Sequence, residues 1–238
     1  LNKSLNITKI GKFTYPGTNR ETIEGKRHYV IGEYKLPSVT TILAATMPEE
    51  KKQKLAQWRA REGAKRADEI KQRSANRGST MHKILEHMIL GQGYADMTEL
   101  GQQATKMAER IAERGLCNVS DYYGTEVNVY YPGLYAGQTD LACVHNGSDA
   151  IVDFKQTNKP KQREWITDYF LQGAAYCMAH DTIYGTYIDK FVIMMCSPEP
   201  YYQEFILQGQ ELKEYKYKWL ERLDIYHRNS YINEKQKG

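Results

Sequence analysis

Gly137-Gln138-Thr139-Asp140 and Ile151-Val152-Asp153-Phe154-Lys155 stand about a hairpin's length apart, and their reading decides the fold. Side chains alternate faces along a strand, so Asp153 and Lys155 leave one face while Val152 and Phe154 pack behind them. The Asn146-Gly147-Ser148 turn lets the first strand pair with the second, which brings Asp140 alongside. Two acids and an amine on one small patch make a divalent-metal site with a basic group beside it. That is the minimum apparatus for hydrolysing a phosphodiester.

Outward from this pair, Thr125 to Tyr131 alternates Glu126, Asn128 and Tyr130 against Val127, Val129 and Tyr131, a first strand before the two at about 136 to 145 and 149 to 155. Trp165, Tyr169, Gln172 and Tyr176 fall at helical spacing, followed by strands Phe191 to Cys196 and Tyr202 to Leu207. A last helix carries Leu212, Tyr215, Trp219, Leu223 and Tyr226 on one side. Upstream, residues 10 to 36 read as short strands, among them Phe13-Thr14-Tyr15 and His28-Tyr29-Val30-Ile31. Helical signals run from Glu49 to about Ser74, interrupted or bent at Gly63. The stripe Met81, Ile84, Leu85, Met88 and Ile89 predicts a helix capped near Ser79 and stopped at Gly91, and another follows from about Met97 to Arg114. The order predicts an α/β fold, a mixed β-sheet flanked by helices. Its expected parts are a strand region 1–45, a basic helical lobe 46–120 and a core with C-terminal helix 121–238.

A chain of 238 residues buries a full core. No run is long and apolar enough to cross a bilayer and no signal sequence opens the chain, so a soluble, intracellular, cytoplasmic protein is expected, with no membrane partner. Because the chain begins at Leu1, an organellar matrix stays open as an alternative. Cys117, Cys143, Cys177 and Cys196 lie far apart in apolar contexts and read as buried free thiols. Charge is lopsided: residues 1–120 carry 21 Lys+Arg against 13 Asp+Glu and residues 121–238 carry 12 against 16, a split of +8 and −4. The excess peaks between Lys51 and Lys83. Arg59, Arg61, Lys65, Arg66, Arg73 and Arg77 are the candidate phosphate-binding residues there, against the plainer reading of a solvated helical face. A Gly-rich loop ending in Lys-Ser/Thr, His-Glu-x-x-His, Gly-x-Ser-x-Gly and Cys-x-x-Cys are all missing, which argues against ATP hydrolysis, zinc proteolysis and serine esterase chemistry.

Five motifs in order resemble the RecB-type exonuclease branch of the PD-(D/E)XK (restriction-endonuclease-like) nuclease superfamily. They are Arg77-Gly78-Ser79-Thr80-Met81-His82 with Glu86, Thr125-Glu126-Val127, Gly137 to Asp140, Asp153-Phe154-Lys155, and Gln172-Gly173-Ala174-Ala175-Tyr176. Further likeness, over residues 36 to about 226, is to a mitochondrial member of that branch and to phage-encoded relatives. Thr139 replaces the proline of the superfamily's name. The resemblance implies a PD-(D/E)XK core and a DNA exonuclease that prefers single strands with free ends. It also implies Mg2+ or Mn2+ on Asp140, Asp153, the Phe154 carbonyl and His82. Lys155 then positions or deprotonates the attacking water, Glu126 binds a second metal or orients water, and Gln172 and Tyr176 brace Lys155 and the DNA backbone. The grouped cysteines of cluster-bearing relatives are missing, so no iron–sulfur cluster is expected.

Each residue has a plainer reading. A lone strand Asp-x-Lys is usually a surface ion pair, His82 beside an apolar stripe a core or surface histidine, Glu126 a solvent-facing strand acid, and Tyr176 and Trp165 core aromatics. Trp58, Tyr94 and Tyr169 are candidate base-stacking surfaces. The rival functions are a structure-selective DNA endonuclease and a catalytically silent DNA-binding or recombination module.

Overall fold

A computed structural model describes residues 5–23 and 25–237. Residues 1–4 and Glu24, all within the expected 1–45 region, lie outside the described residues, as does Gly238. The strands are β1 (Thr8–Lys9), β2 (Asn19–Ile23), β3 (Lys26–Ile31), β4 (Tyr34–Pro37), β5 (Val119–Tyr131), β6 (Tyr135–His145), β7 (Ser148–Gln156), β8 (Lys190–Cys196) and β9 (Tyr202–Gln208). The helices are α1 (Val39–Ala45), α2 (Glu49–Glu62), α3 (Ala64–Ile89), α4 (Glu99–Arg114), α5 (Thr167–Tyr184) and α6 (Gly209–Lys237).

One sheet has the order β1-β5-β6-β7-β8-β9, and a smaller sheet has the order β2-β3-β4. Strands β5, β6 and β7 run antiparallel; between β6 and β7, Asn146 and Gly147 both take positive φ, 47° and 77°, and close a two-residue hairpin. Strand β8 is parallel to β7, which requires a crossover, and α5 supplies it. This is the mixed sheet flanked by helices that the sequence leads one to expect.

Each face of the sheet has its own core. Ile42 of α1, Phe170 and Ala174 of α5 and Trp219 of α6 bury Ile151, Phe191 and Ile193. On the other face, Met81 and Leu85 of α3 with Met107 and Ile111 of α4 bury Leu141, Val152, Phe154 and Met194. Large side chains fully buried in this way contribute roughly 1.5–3 kcal/mol each. Helix α5 is buried along Phe170 to Cys177, and Gly173 lets it approach β8: a Cβ there would stand 2.1 Å from the Phe191 ring.

Several local expectations are corrected. Ser79 does not cap a helix; α3 runs unbroken from Ala64 to Ile89. Gly78 is tolerated mid-helix because it brings α3 against β7, where an added Cβ would meet Gln156 Cγ at 3.2 Å. Phe13-Thr14-Tyr15 forms no strand. Its rings pack against Tyr123, His180 and Tyr184, and side chains rather than ladder bonds hold it. Trp165 lies in a 3-10 turn before α5 and is 60% exposed, so it is not a core aromatic. Cys143, Cys177 and Cys196 are buried free thiols as expected, whereas Cys117 is exposed. The expected 46–120 lobe is split in role: α2 buries no residue, while α3 and α4 share the sheet's core. Among the described residues, no helix is long and apolar enough to cross a membrane.

Candidate active site

A cleft of about 550 Å³ opens where α3 crosses the ends of β6 and β7, with α5 beneath it and the small sheet as its far wall. His82 projects from α3 and its Nδ1 lies 3.1 Å from Asp140 Oδ1. The other oxygen of Asp140 accepts the backbone N–H of Phe154. The register Leu141↔Val152 sets Asp140 of β6 against Asp153 of β7, and Lys155 forms an ion pair with Asp153. Asp153 follows Ile151 onto the α5 face, while Val152 and Phe154 lie in the opposite core. Phe154 thus gives its N–H to Asp140 and packs its ring in the core.

Glu126 completes the cluster by an irregular route. It sits in β5 between the pairs Thr125↔Leu141 and Val127↔Thr139, yet its φ is 50°. A non-glycine residue in the left-handed region costs roughly 1–2 kcal/mol and breaks the strand's alternation. Gln138 Nε2 donates to the Glu126 carbonyl at 2.8 Å. One ligand atom each from His82, Glu126 and Asp140 falls within 4.8 Å of the others. That set does not include Asp153, which is turned to Lys155. An imidazole with two carboxylates suits a divalent metal ion.

Electrostatics describe a site short of positive charge. Burial and Asp140 push Glu126 up to about 7, with His82 opposing, Glu86 adding and Arg20 opposing. Burial pushes Asp153 up to about 6 against the pull of Lys155. For His82, burial would lower the pKa, but Asp140 outweighs it and the ring is raised to about 9. Asp140 is held below the usual carboxylate range: burial opposes this, and His82, Lys155 and the Phe154 N–H overcome it. Lys155 is raised, because Asp153 and Asp140 outweigh its burial.

Metal binding by this set is expected to release protons at pH 7. His82 and Glu126 both carry protons below their values of about 9 and about 7, and a ligand must give its proton up. Affinity for Mn2+ then rises with pH across that window. Calorimetry in buffers of different ionisation enthalpy measures the protons released; a titration with none would overturn the expectation that His82 and Glu126 carry protons before the metal binds.

The remaining expected residues divide. Gln172 and Tyr176 line the cleft, but Gln172 Nε2 donates to the Tyr176 hydroxyl at 2.8 Å, and neither makes a hydrogen bond to Lys155 among the described residues. Tyr176 instead packs on Gly137, where a Cβ would stand 2.3 Å from its ring. The aromatic beside Lys155 is Tyr169, 5.0 Å from Nζ to the ring centre. Tyr94 is stacked on His87, and Trp58 is half-buried.

The basic candidates lie outside the cleft lining. Arg59 forks onto Asp68, Arg66 pairs with Glu62 and Arg73 with Glu99, while Arg61 and Lys65 are exposed. Arg77 is 5% exposed and its guanidinium is spent on Gln156 and Asn158, so it ties α3 to the end of β7 instead of facing solvent. The cleft's outer cations are residues that motif spacing did not single out: Arg20, Arg27 and Lys83. Lys83 had a signal, being next to His82; the two arginines had none.

A mixed sheet flanked by helices, with paired carboxylates and a lysine on its two central strands, is consistent with a nuclease of the PD-(D/E)XK type. The chain is similar to mitochondrial genome maintenance exonuclease 1 of Mus musculus, 30% identical over 214 residues that cover 85% of this chain and 60% of that protein. It is 27% identical to the Homo sapiens protein of that name over 201 residues, 80% of this chain and 58% of the relative. The chain therefore spans about three fifths of the curated relatives it matches. No family model matches. Among solved structures, an alkaline exonuclease from Laribacter hongkongensis has a TM-score of 0.32 at 12% identity, over 67% of this chain and 84% of that one.

Proposed function

We propose that this chain is a divalent-metal-dependent exonuclease that hydrolyses phosphodiester bonds of DNA, acting on single strands with free ends in replication, recombination or repair. The carrying observation is the closure of His82, Glu126 and Asp140 to within 4.8 Å beside the Asp153–Lys155 pair in one cleft. Binding alone does not require several acids facing a polyanion. His82, Glu126 and Asp140, with Asp153 adjacent, would hold Mg2+ or Mn2+, which would supply positive charge to the phosphate and acidify water. Asp153 and Asp140 keep Lys155 charged. Its ammonium accordingly orients the attacking water and offsets charge on the phosphate rather than accepting the proton. Gln172 and Tyr176 hold the cleft floor against Gly137. The exposed cations of α2 and α3, Arg61 and Lys65 among them, attract the strand towards the cleft.

One assay tests this reading. End-labelled linear single-stranded, duplex and circular single-stranded DNA are incubated with Mg2+ or Mn2+, and with EDTA. Linear single strands are expected to shorten from an end, EDTA to stop all cleavage and circles to stay intact. Linearised circles would establish an endonuclease, and uncut DNA with retained binding a silent module.

A further inference from the structure

The catalytic reading leaves the small sheet unused, although it forms one wall of the cleft. Its register pairs Arg20 with Tyr29, Thr22 with Arg27 and Tyr29 with Leu36, so these side chains share a face. It is the inward face, because Tyr29, Ile31 and Leu36 are buried against Ala136 of β6. A face that packs on a core is expected to stay apolar. Here it turns cationic at Arg20 and Arg27, where the sheet overhangs the cleft, and both residues line it.

The wall is fixed in place. The Arg27 carbonyl accepts from the Ser38 N–H and the Thr41 hydroxyl, each at 3.1 Å, and Ser38 bridges Ala136, the neighbour of Gly137. The Arg20 guanidinium lies 5.5 Å from the centre of the buried Tyr29 ring. Arg20 shares the cleft lining with Glu126, His82 and Asp140, and Lys83 faces the cleft from α3. The ion pair described in this sheet, Lys35–Glu21 at 2.8 Å, occupies the other face.

We propose that Arg20 and Arg27 form a phosphate clamp: their guanidinium forks bind the non-bridging oxygens of a nucleic-acid backbone phosphate beside the one being cut. The strand is then held between the small sheet and α3 with the scissile phosphate at the cluster. This rests on the nuclease reading. Guanidinium suits the task because its planar fork matches phosphate oxygens and stays charged at every working pH.

The test is the salt dependence of binding to a short single-stranded DNA by fluorescence anisotropy, with Ca2+ replacing Mg2+, together with kcat and KM in Mg2+. For R20Q/R27Q the slope of log K against log salt is expected to fall by roughly 0.7, the value of the one single-strand phosphate contact the two forks share. R20Q and R27Q alone are each expected to give about half of that, and KM to rise more than kcat falls. K35Q removes one charge from the outer face and is expected to leave slope and KM unchanged. An unchanged slope in R20Q/R27Q, with a wild type that binds and cuts, overturns the clamp and leaves the nuclease reading standing. An equal fall in K35Q overturns it too, by showing diffuse charge. A wild type that neither binds nor cuts overturns both.

Discussion

Asp140→Asn is expected to abolish cleavage, lowering kcat about 10³-fold or more, which is the loss of several kcal/mol of charge stabilisation at roughly 1.4 kcal/mol per tenfold. Asp140 stands at the centre of the site. One oxygen meets His82, the other takes the Phe154 N–H, and its charge also acts on Glu126, Asp153 and Lys155. Asparagine keeps an acceptor for the Phe154 N–H and so preserves the junction of β6 and β7. It removes the charge that raises His82, whose pKa then falls from about 9 because burial is left as the larger influence. Single-strand binding is expected to hold or strengthen, since a carboxylate facing phosphate is gone. Rates at saturating Mn2+ check the prediction, and wild-type turnover there would remove Asp140 from the chemistry.

What the sequence disclosed was what local geometry determines. Asn146-Gly147 names a two-residue hairpin, and alternation then places Asp140, Asp153 and Lys155 without knowledge of the rest of the chain. His82 was legible by resemblance, its place on an apolar helix face being ordinary. Glu126 was named, but its left-handed backbone was not, because alternation groups it with Asn128 and Tyr130. Arg77 was read as part of a basic stretch, and Gly78 only as a member of the motif that ends at His82. Their surroundings are Gln156 and Asn158, nearly 80 residues away, and only tertiary structure brings these together. Arg20 and Arg27 failed to register for the same reason: strand pattern predicts a hairpin but not the wall against which it docks.

Lys155→Met is expected to lower kcat by about 10²–10³, the scale of losing one preorganised electrostatic contact to a developing charge. Its distinguishing mark is pH. Asp153 already stands at about 6 because burial outweighs the pull of Lys155, and without that ammonium the carboxyl moves higher. More of it is then protonated at neutral pH, so the residual activity is expected to recover as pH rises, with the acidic limb of the pH–rate profile displaced upward. Mn2+ affinity at alkaline pH is expected to stay near wild type, because His82, Glu126 and Asp140 close their set without the lysine. Calorimetry and a pH–rate profile on the same variant separate the possibilities. Metal binding lost at every pH would make Lys155 a support of the cluster, while turnover and pH profile like wild type would leave water and phosphate to other groups. Only a displaced limb with metal affinity intact fits an ammonium that holds Asp153 ionised and faces the reacting phosphate.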